Sequence, residues 1–427
     1  MLRPPESFLQ YIWQHQLLEG DLYTVEGLPI VVERPGVLNR DAGPDFFDAR
    51  IRVGETLWVG NVEVHVKASD WNAHNHSTDR AYDNVVLHVV YECDTAITLQ
   101  NCHQLPTLVI SQHIPQAVWD NYESLMNPPR PLAIPCEEHL PQLSSFYVSS
   151  VLERLVVERI EAKCENVRRL LSDSHNNWEQ CCYWLLAHYF GGKTNGFTFE
   201  LLARATDQNL LARWRDKPQR VEAILMGQAG FLEGYFSDEY PRQLQADYEA
   251  LRHAARLNPI AGYLWKFFRL RPYGFPTLRI SQFAQLICRS RNLFSRLLET
   301  PSAAELQQLF DVTAADYWTN HYQFDRPSPG KPKRLSTSFV DLLIINAWVP
   351  LLFEYGSQHG MQQYKDQAVS ILEQLRPESN QIIRQWAAAG IRPNNAAQSQ
   401  ALLQLFNNYC QQHNCLHCQI GYKVIAQ

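Results

Sequence analysis

The chain of 427 residues lacks any apolar run that approaches the roughly 18 residues of a membrane-spanning helix. Its first residues, MLRPPESFLQ, lack the basic start and apolar stretch of a signal peptide. Its ten cysteines lack the regular spacing of a secreted disulfide framework, and no repeat of fixed length predicts a solenoid. We therefore expect a cytoplasmic protein with reduced thiols and no membrane partner.

The pattern of apolar residues changes along the chain from a strand period to a helical one. An amphipathic helix in ESFLQYIWQHQLL precedes strand-like segments between residues 23 and 110. The polar stretch 70–84 supplies a short helix capped by Ser77 or Thr78, so the predicted order is helix, three strands, short helix and strand. We predict an α+β protein with a mixed α/β domain at 1–125, a proline-rich linker at 126–140 and a larger all-helical domain at 141–427.

Acidic and imidazole side chains are concentrated in the strand region. Residues 1–130 hold 8 Lys and Arg against 17 Asp and Glu, whereas the whole chain has a net charge of −6. In GNVEVHVK, Glu63, His65 and Lys67 alternate with valines and so share one face of a strand. That face is either a solvated sheet surface or a metal site. The other candidate ligands are Asp41, Asp45, Asp48, Asp70, His74, His76, Asp79 and His88.

Pro44-Asp45, followed after a gap by Glu63-Val64-His65, resembles the signature of the PD-(D/E)XK nuclease superfamily. The resemblance implies that Asp45 and Glu63 bind Mg²⁺ or Mn²⁺ and that the substrate is DNA or RNA. It also implies that His65 or Lys67 orients or deprotonates the attacking water, and that Glu6 matches an acid on the first helix of some members. The superfamily has a lysine where His65 stands, and Lys67 lies two residues further along the same face.

The C-terminal segment NNYCQQHNCLHCQIGY contains Cys410, Cys415 and Cys418. The two residues between Cys415 and Cys418 allow both thiolates to bind one metal, and sulfur ligands favour zinc or an iron–sulfur cluster. Three cysteines do not complete such a site. The fourth ligand is His413, His417 or a distant cysteine, with Cys136 as the first choice.

A basic and aromatic segment, LWKFFRLRPYGFPTLRI, is the best candidate for contact with nucleic acid. It contains four cations, which can neutralise phosphates, and five aromatic rings, which can stack on unpaired bases. The alternative is that the rings pack a core and the arginines pair with acids. The four cations are Lys266, Arg269, Arg271 and Arg279.

Across nearly its whole length the chain resembles an uncharacterised bacterial family, a domain of unknown function found mainly in Bacteroidetes-type bacteria. The phrases that carry this resemblance include GPDFFDARI, WVGNVEVHVKASDW and YCQQHNCLHCQIG. This second resemblance implies no activity.

The candidate ligands of the strand region, together with the PD-(D/E)XK resemblance, lead us to expect a metal-dependent nuclease or phosphodiesterase. One alternative is a non-enzymatic interaction or scaffold protein with a structural metal at its cysteines, and the other is a zinc hydrolase that uses His65, His74, His76 and His88.

Overall fold

The computed structural model describes residues 3–99, 103–289 and 292–427. By its internal contacts the chain forms two compact units, the first consisting of Met1–Val148 and Phe406–Gln427 and the second of Ser149–Leu405. The predicted order of a sheet region followed by many helices is confirmed. The two units differ from the predicted domains at the C-terminal end of the chain, because residues 406–427 belong to the sheet unit and not to the helical one.

A seven-stranded sheet forms the centre of the first unit. Its spatial order is β1-β2-β4-β5-β6-β7, with β3 paired to β4. The pairs from β1 to β5 are antiparallel, whereas β5-β6 and β6-β7 are parallel. The strands are β1 (Leu22–Tyr23), β2 (Pro29–Arg34), β3 (Val37–Leu38), β4 (Phe46–Val53), β5 (Thr56–Lys67), β6 (Val85–Glu92) and β7 (Thr107–Val109).

The connections explain the mixture of strand directions. A two-residue turn beginning at Gly54, which has a positive φ of 59°, joins β4 to β5, and tight turns produce antiparallel neighbours. The longer crossover from β5 to β6 produces a parallel pair. Gly60 allows these two strands to meet, because a Cβ atom there would lie 2.6 Å from the carbonyl oxygen of Asn84.

Besides the sheet, the N-terminal part of this unit contains three helices and the polar segment that connects β5 to β6. The helices are α1 (Glu6–His15), α2 (Asp70–Ala73) and α3 (Gln116–Met126). Phe8, Ile12 and Trp13 of α1 are buried, as the helical period predicts. The predicted cap at Ser77 or Thr78 is wrong, because Asp79 accepts a hydrogen bond from Ala81 N and caps the following 3-10 turn instead.

The second unit is predominantly helical, with one short hairpin formed by β8 (His321–Gln323) and β9 (Arg326–Pro327). Within the described ranges, one helical stretch, Thr337–Gln358, is apolar and long enough to cross a membrane, but 72% of its most apolar window is buried inside the protein, as in a core helix. The helices from α4 onward are α4 (Ser145–Asp173), α5 (Trp178–Phe190), α6 (Gly192–Arg204), α7 (Gln208–Arg213), α8 (Pro218–Gln228), α9 (Glu239–Arg252), α10 (Pro276–Arg289), α11 (Leu293–Leu298), α12 (Ala303–Leu309), α13 (Thr337–Leu343), α14 (Val349–Gln358), α15 (Gln362–Gln374), α16 (Gln381–Ala388), α17 (Ala396–Leu405) and, in the first unit, α18 (Gln419–Ile425).

Candidate metal centre

Acids and histidines meet beside the central strands of the sheet, in a cluster that we call the acid–histidine centre. A bulge at the start of β4 shifts the register between Phe46 and Ala49, and Asp48 within it has a left-handed φ of 57°. The members of the centre are Glu6, Asp45, Glu63, His65, His74 and His76.

Asp45 and Glu63 are fixed against each other by reciprocal hydrogen bonds between neighbouring strands. The Asp45 amide donates to Glu63 Oε2 at 3.0 Å, and the Val64 amide donates to Asp45 Oδ2 at 3.0 Å. The two acids that resemble the nuclease signature are therefore brought together.

The first helix contributes Glu6 and Gln10, which lie one turn apart. The Gln10 side-chain amide donates to Asp45 Oδ1 at 2.9 Å and to Glu6 Oε1 at 3.3 Å. Burial, followed by the charge of Asp45, raises the pKa of Glu6 to about 7. The predicted position of Glu6 beside the other acids is consistent with these contacts.

Glu63 and His65 are 5% and 1% exposed, so they do not form a solvated sheet face. Burial, and then the charge of neighbouring Asp45, raises the pKa of Glu63 to about 9. Burial also raises the pKa of Asp45. Without a cation the Glu63 carboxyl group therefore retains a proton at neutral pH, which a divalent ion would displace.

Two imidazoles contact Glu63 Oε1, and a third lies beside those two. Glu63 Oε1 lies 3.4 Å from His65 Nε2 and 3.3 Å from His76 Nε2. His65, His74 and His76 each offer one ligand atom, and these atoms lie within 4.8 Å of one another. His76 Nε2 is buried without a hydrogen-bond partner.

His88 lies behind His65, on the adjacent strand β6. Its Nε2 is 2.9 Å from His65 Nδ1, so one of the two nitrogens donates to the other. A proton on His65 Nδ1 would leave Nε2 free to bind a metal. Burial lowers the pKa of both rings to about 3, which keeps them neutral. His88 is therefore placed to orient a ligand and not to be one, unlike its role in the zinc-hydrolase hypothesis.

These residues fit a divalent metal ion. Metal–ligand bonds of roughly 2.0–2.2 Å place neighbouring ligand atoms about 3.0–3.5 Å apart, which matches both contacts of Glu63 Oε1. Neutral imidazoles and carboxylates are also the ligand types that transition metals accept.

Lys67 has a different neighbour. Lys67 is the last residue of β5. Its Nζ lies 3.9 Å from Asp94 Oδ2, and its backbone amide donates to Asp70 Oδ2. Since strand residues of one face are about 6–7 Å apart, the shift from position 65 to 67 moves the amine along the strand. His65, and not Lys67, contacts Glu63.

The basic segment of the second unit divides into exposed and packed cations. Lys266, Arg269 and Arg271 are exposed. The Arg279 guanidinium instead lies 3.5 Å from the centroid of the Phe339 ring and donates to Gln282 Oε1. Burial lowers its pKa to about 10. Its packing argues against the predicted role of Arg279 in binding nucleic acid.

The cysteines of the C-terminal segment lie in the first unit and are buried. Cys410, Cys415 and Cys418 are each at most 8% exposed, and Cys136, the first-choice fourth ligand, is 6% exposed. His413 and His417, the alternative fourth ligands, are exposed.

Two residues beside the acid–histidine centre were not predicted. Gln10 follows Glu6 by four residues, a spacing that places both on one side of a helix and could have identified it. Tyr82 stacks on His76 with 3.8 Å between ring centroids. Its position depends on the irregular crossover between β5 and β6, which has no periodic signal.

Comparison with other proteins places the chain in a family. No curated protein and no solved structure matches it. The family model described as a protein of unknown function, DUF2851, matches residues 6–381, which is most of the chain. The chain therefore belongs to the DUF2851 family.

Proposed function

We propose that this protein is a divalent-metal-dependent phosphodiesterase that cleaves nucleic acid at the acid–histidine centre. One observation carries the proposal, the convergence of a buried carboxylate and two imidazoles. Glu63 Oε1 lies within 3.4 Å of the Nε2 atoms of both His65 and His76, and its other oxygen is held by the Asp45 amide.

The ligand types favour Mn²⁺ or Zn²⁺ over Mg²⁺, which prefers oxygen ligands and keeps several waters. Glu63, His65 and His76 would hold the ion at the buried side. Asp45 and the exposed His74 would complete its coordination at the side that a substrate can reach. Open coordination on one side is typical of catalytic metal sites.

A bound divalent ion would polarise a phosphoryl group and lower the pKa of a coordinated water. The remaining chemistry falls to residues of the chain. Glu6, whose pKa is raised to about 7, can accept a proton near neutral pH. Gln10 holds Glu6 beside Asp45, so that the base and the ligands keep a common geometry.

The fold supports a nuclease over other phosphodiesterases. An opening helix, antiparallel strands and then a parallel strand after a crossover form the order expected from the PD-(D/E)XK resemblance. Glu63 lies on β5, as that resemblance implies, whereas Asp45 stands one residue before β4 and not on the strand itself. Exposed Lys266, Arg269 and Arg271 support a polyanionic substrate.

Cleavage of end-labelled single-stranded DNA, duplex DNA and RNA with Mn²⁺, Zn²⁺ or Mg²⁺ tests the proposal. We expect activity with Mn²⁺ or Zn²⁺ and a loss of at least about 100-fold in Asp45→Asn, corresponding to about 3 kcal/mol of transition-state stabilisation. Asp48→Asn is the matched control, because Asp48 is an exposed acid of the same bulge and asparagine tolerates its left-handed backbone. Inactivity of the wild-type protein with all three ions, or equal rates for the two variants, would contradict the proposal.

The three-imidazole cluster favours a second candidate, a zinc hydrolase of other esters. That enzyme would cleave small phosphate or carboxyl esters with Zn²⁺ and leave all three nucleic acids intact. His76→Ala would abolish either activity, so the substrate panel distinguishes the two candidates. The non-enzymatic scaffold predicts no turnover on any substrate.

A further inference from the structure

Four buried cysteines in the first unit come from two distant parts of the sequence. Cys136 lies between α3 and α4, whereas Cys410, Cys415 and Cys418 lie in the C-terminal segment. All four are buried, with exposed fractions between 6% and 8%. We call them the four-cysteine site, and the nuclease proposal does not involve them.

The cysteines lie close together: the Cys418 amide donates to the Cys415 carbonyl oxygen at 3.1 Å, and Cys136 and Cys410 are near enough to both for their charges to interact. Burial, and then the thiols of Cys418 and Cys415, raise the pKa of Cys136. Burial, and then Cys136, Cys418 and Cys415, raise the pKa of Cys410. Thiols with raised pKa values are poor nucleophiles, so Cys136 and Cys410 are unsuited to nucleophilic catalysis.

The spacing of the sulfurs distinguishes two kinds of metal site. A tetrahedral zinc site with Zn–S bonds of about 2.3 Å places its sulfurs about 3.8 Å apart. Among the described residues, the group of three ligand atoms found within 4.8 Å of one another consists of histidines and contains none of these thiols. In a cubic iron–sulfur cluster each thiolate binds a different iron, so the sulfurs stand further apart.

The surroundings indicate what such a cluster would hold together. The last helix, α18, packs on α3, and its Tyr422 ring lies 4.6 Å from the ring of His15 on α1. Gly421 is required here, because a Cβ atom would lie 2.1 Å from the Cys415 carbonyl oxygen. The C-terminal segment is thus fitted tightly against the helix that also carries Glu6.

We propose that Cys136, Cys410, Cys415 and Cys418 bind a [4Fe–4S] cluster that fastens the C-terminal segment to the sheet unit. The four buried sulfur ligands complete the set that such a cluster requires, without a histidine or a second chain. Its role is structural, because no open ligand position remains for a substrate.

Anaerobic purification of the full-length protein from iron-supplemented cells tests this site. We expect a broad absorbance near about 400 nm that bleaches with dithionite, and about four iron and four sulfide per chain. Cys136→Ser should lose the band and most of the iron, whereas Cys93→Ser, a partly buried free thiol of the same unit, should keep both.

Analysis of the wild-type protein alone keeps the proposal testable if Cys136→Ser fails to fold. One zinc per chain with no iron would overturn it, as would a disulfide among the four cysteines in the anaerobic protein. Unchanged iron and sulfide in Cys136→Ser would exclude Cys136 as a ligand. None of these results depends on cleavage of nucleic acid, so failure of the nuclease proposal remains separate.

Discussion

The first unit contains two clusters of ligand-type residues that differ in chemistry and exposure. The acid–histidine centre combines carboxylates with imidazoles and is open at His74, whereas the four-cysteine site offers only sulfur and is closed. Catalytic metal sites keep a position for substrate, and structural sites do not. The two proposals together imply that one unit separates a reacting metal from a supporting one by ligand type and by the access of solvent to the metal.

Removal of metal should give the largest difference between the two sites. We expect dialysis against EDTA to reduce nuclease activity at least about 100-fold, because exposed His74 leaves one side of the ion within reach of solvent and chelator. Added Mn²⁺ or Zn²⁺ should restore the activity. The 400 nm absorbance of the cluster should persist throughout, since its ligands are buried. Loss of that absorbance together with activity would show that the two sites are not independent.

Loss of the hydrogen bond behind His65 should have the next largest effect. We expect His88→Phe to weaken metal binding by about 10–100-fold, because the ring nitrogen that orients His65 is removed while aromatic packing on Trp71 is kept. His88→Gln retains an acceptor and should recover part of the affinity. Isothermal titration with Mn²⁺ measures both variants, and wild-type affinity in His88→Phe would contradict this role.

Removal of the exposed cations should affect substrate binding and leave the chemistry intact. We expect a variant with Lys266→Ser, Arg269→Ser and Arg271→Ser together to bind DNA about ten-fold more weakly. The plot of the logarithm of the binding constant against the logarithm of the salt concentration should also become less steep, by about two in slope. The rate at saturating DNA should not change. Arg326→Ser with Lys331→Ser, at other exposed positions, is the control. A reduced maximal rate with unchanged affinity would argue against a binding surface here.

The smallest expected effect is a change in stability with pH. It concerns the protein without a metal ion in the acid–histidine centre. Glu63 has a folded pKa of about 9 against 4.5 for an ordinary glutamate, so the folded chain retains a proton that the unfolded chain releases. The contribution of this proton to the free energy of unfolding is complete below pH 4.5 and is lost as the pH rises toward 9. We therefore expect the melting temperature of the cluster-loaded, EDTA-treated protein to fall between pH 7 and 9, where ordinary histidines are neutral.

Two variants test whether Glu63 causes this fall of the melting temperature with pH. Glu63→Gln cannot titrate and should flatten the dependence, whereas Asp48→Asn should retain it. Thermal unfolding followed by circular dichroism provides the measurement. An equal slope in Glu63→Gln and the wild-type protein would show that other groups cause the loss.

Regular elements and local motifs were the predictable part of this molecule. Alternation of valines with polar residues predicted β5, and the proximity of Asp45 to Glu63 followed from a resemblance in which both acids lie on neighbouring strands. The family of unknown function was likewise indicated by phrases spread along the chain and is confirmed. Each of these signals is contained in short sequence stretches.

Contacts between distant segments were harder to predict. The wet-face alternative for Glu63 and His65 could be rejected only with the structure, because burial depends on what covers the strand. His74 and His76 approach His65 through an irregular crossover of short turns, which lacks a period. The return of residues 406–427 to the first unit likewise depends on packing against α3, since its helical pattern continues that of the second unit.

Binding of Mn²⁺ and Zn²⁺ to the cluster-loaded, EDTA-treated protein tests the central claim most directly. Titration calorimetry should give one site per chain in the wild-type protein and in Asp48→Asn. Glu63→Gln should weaken that site by at least about 100-fold, because the carboxylate charge is lost and an NH2 group, which cannot bind a metal, replaces the oxygen beside His65 and His76 while the Asp45 amide retains the other oxygen. Equal affinity in Glu63→Gln and the wild-type protein would contradict a metal centre at Glu63.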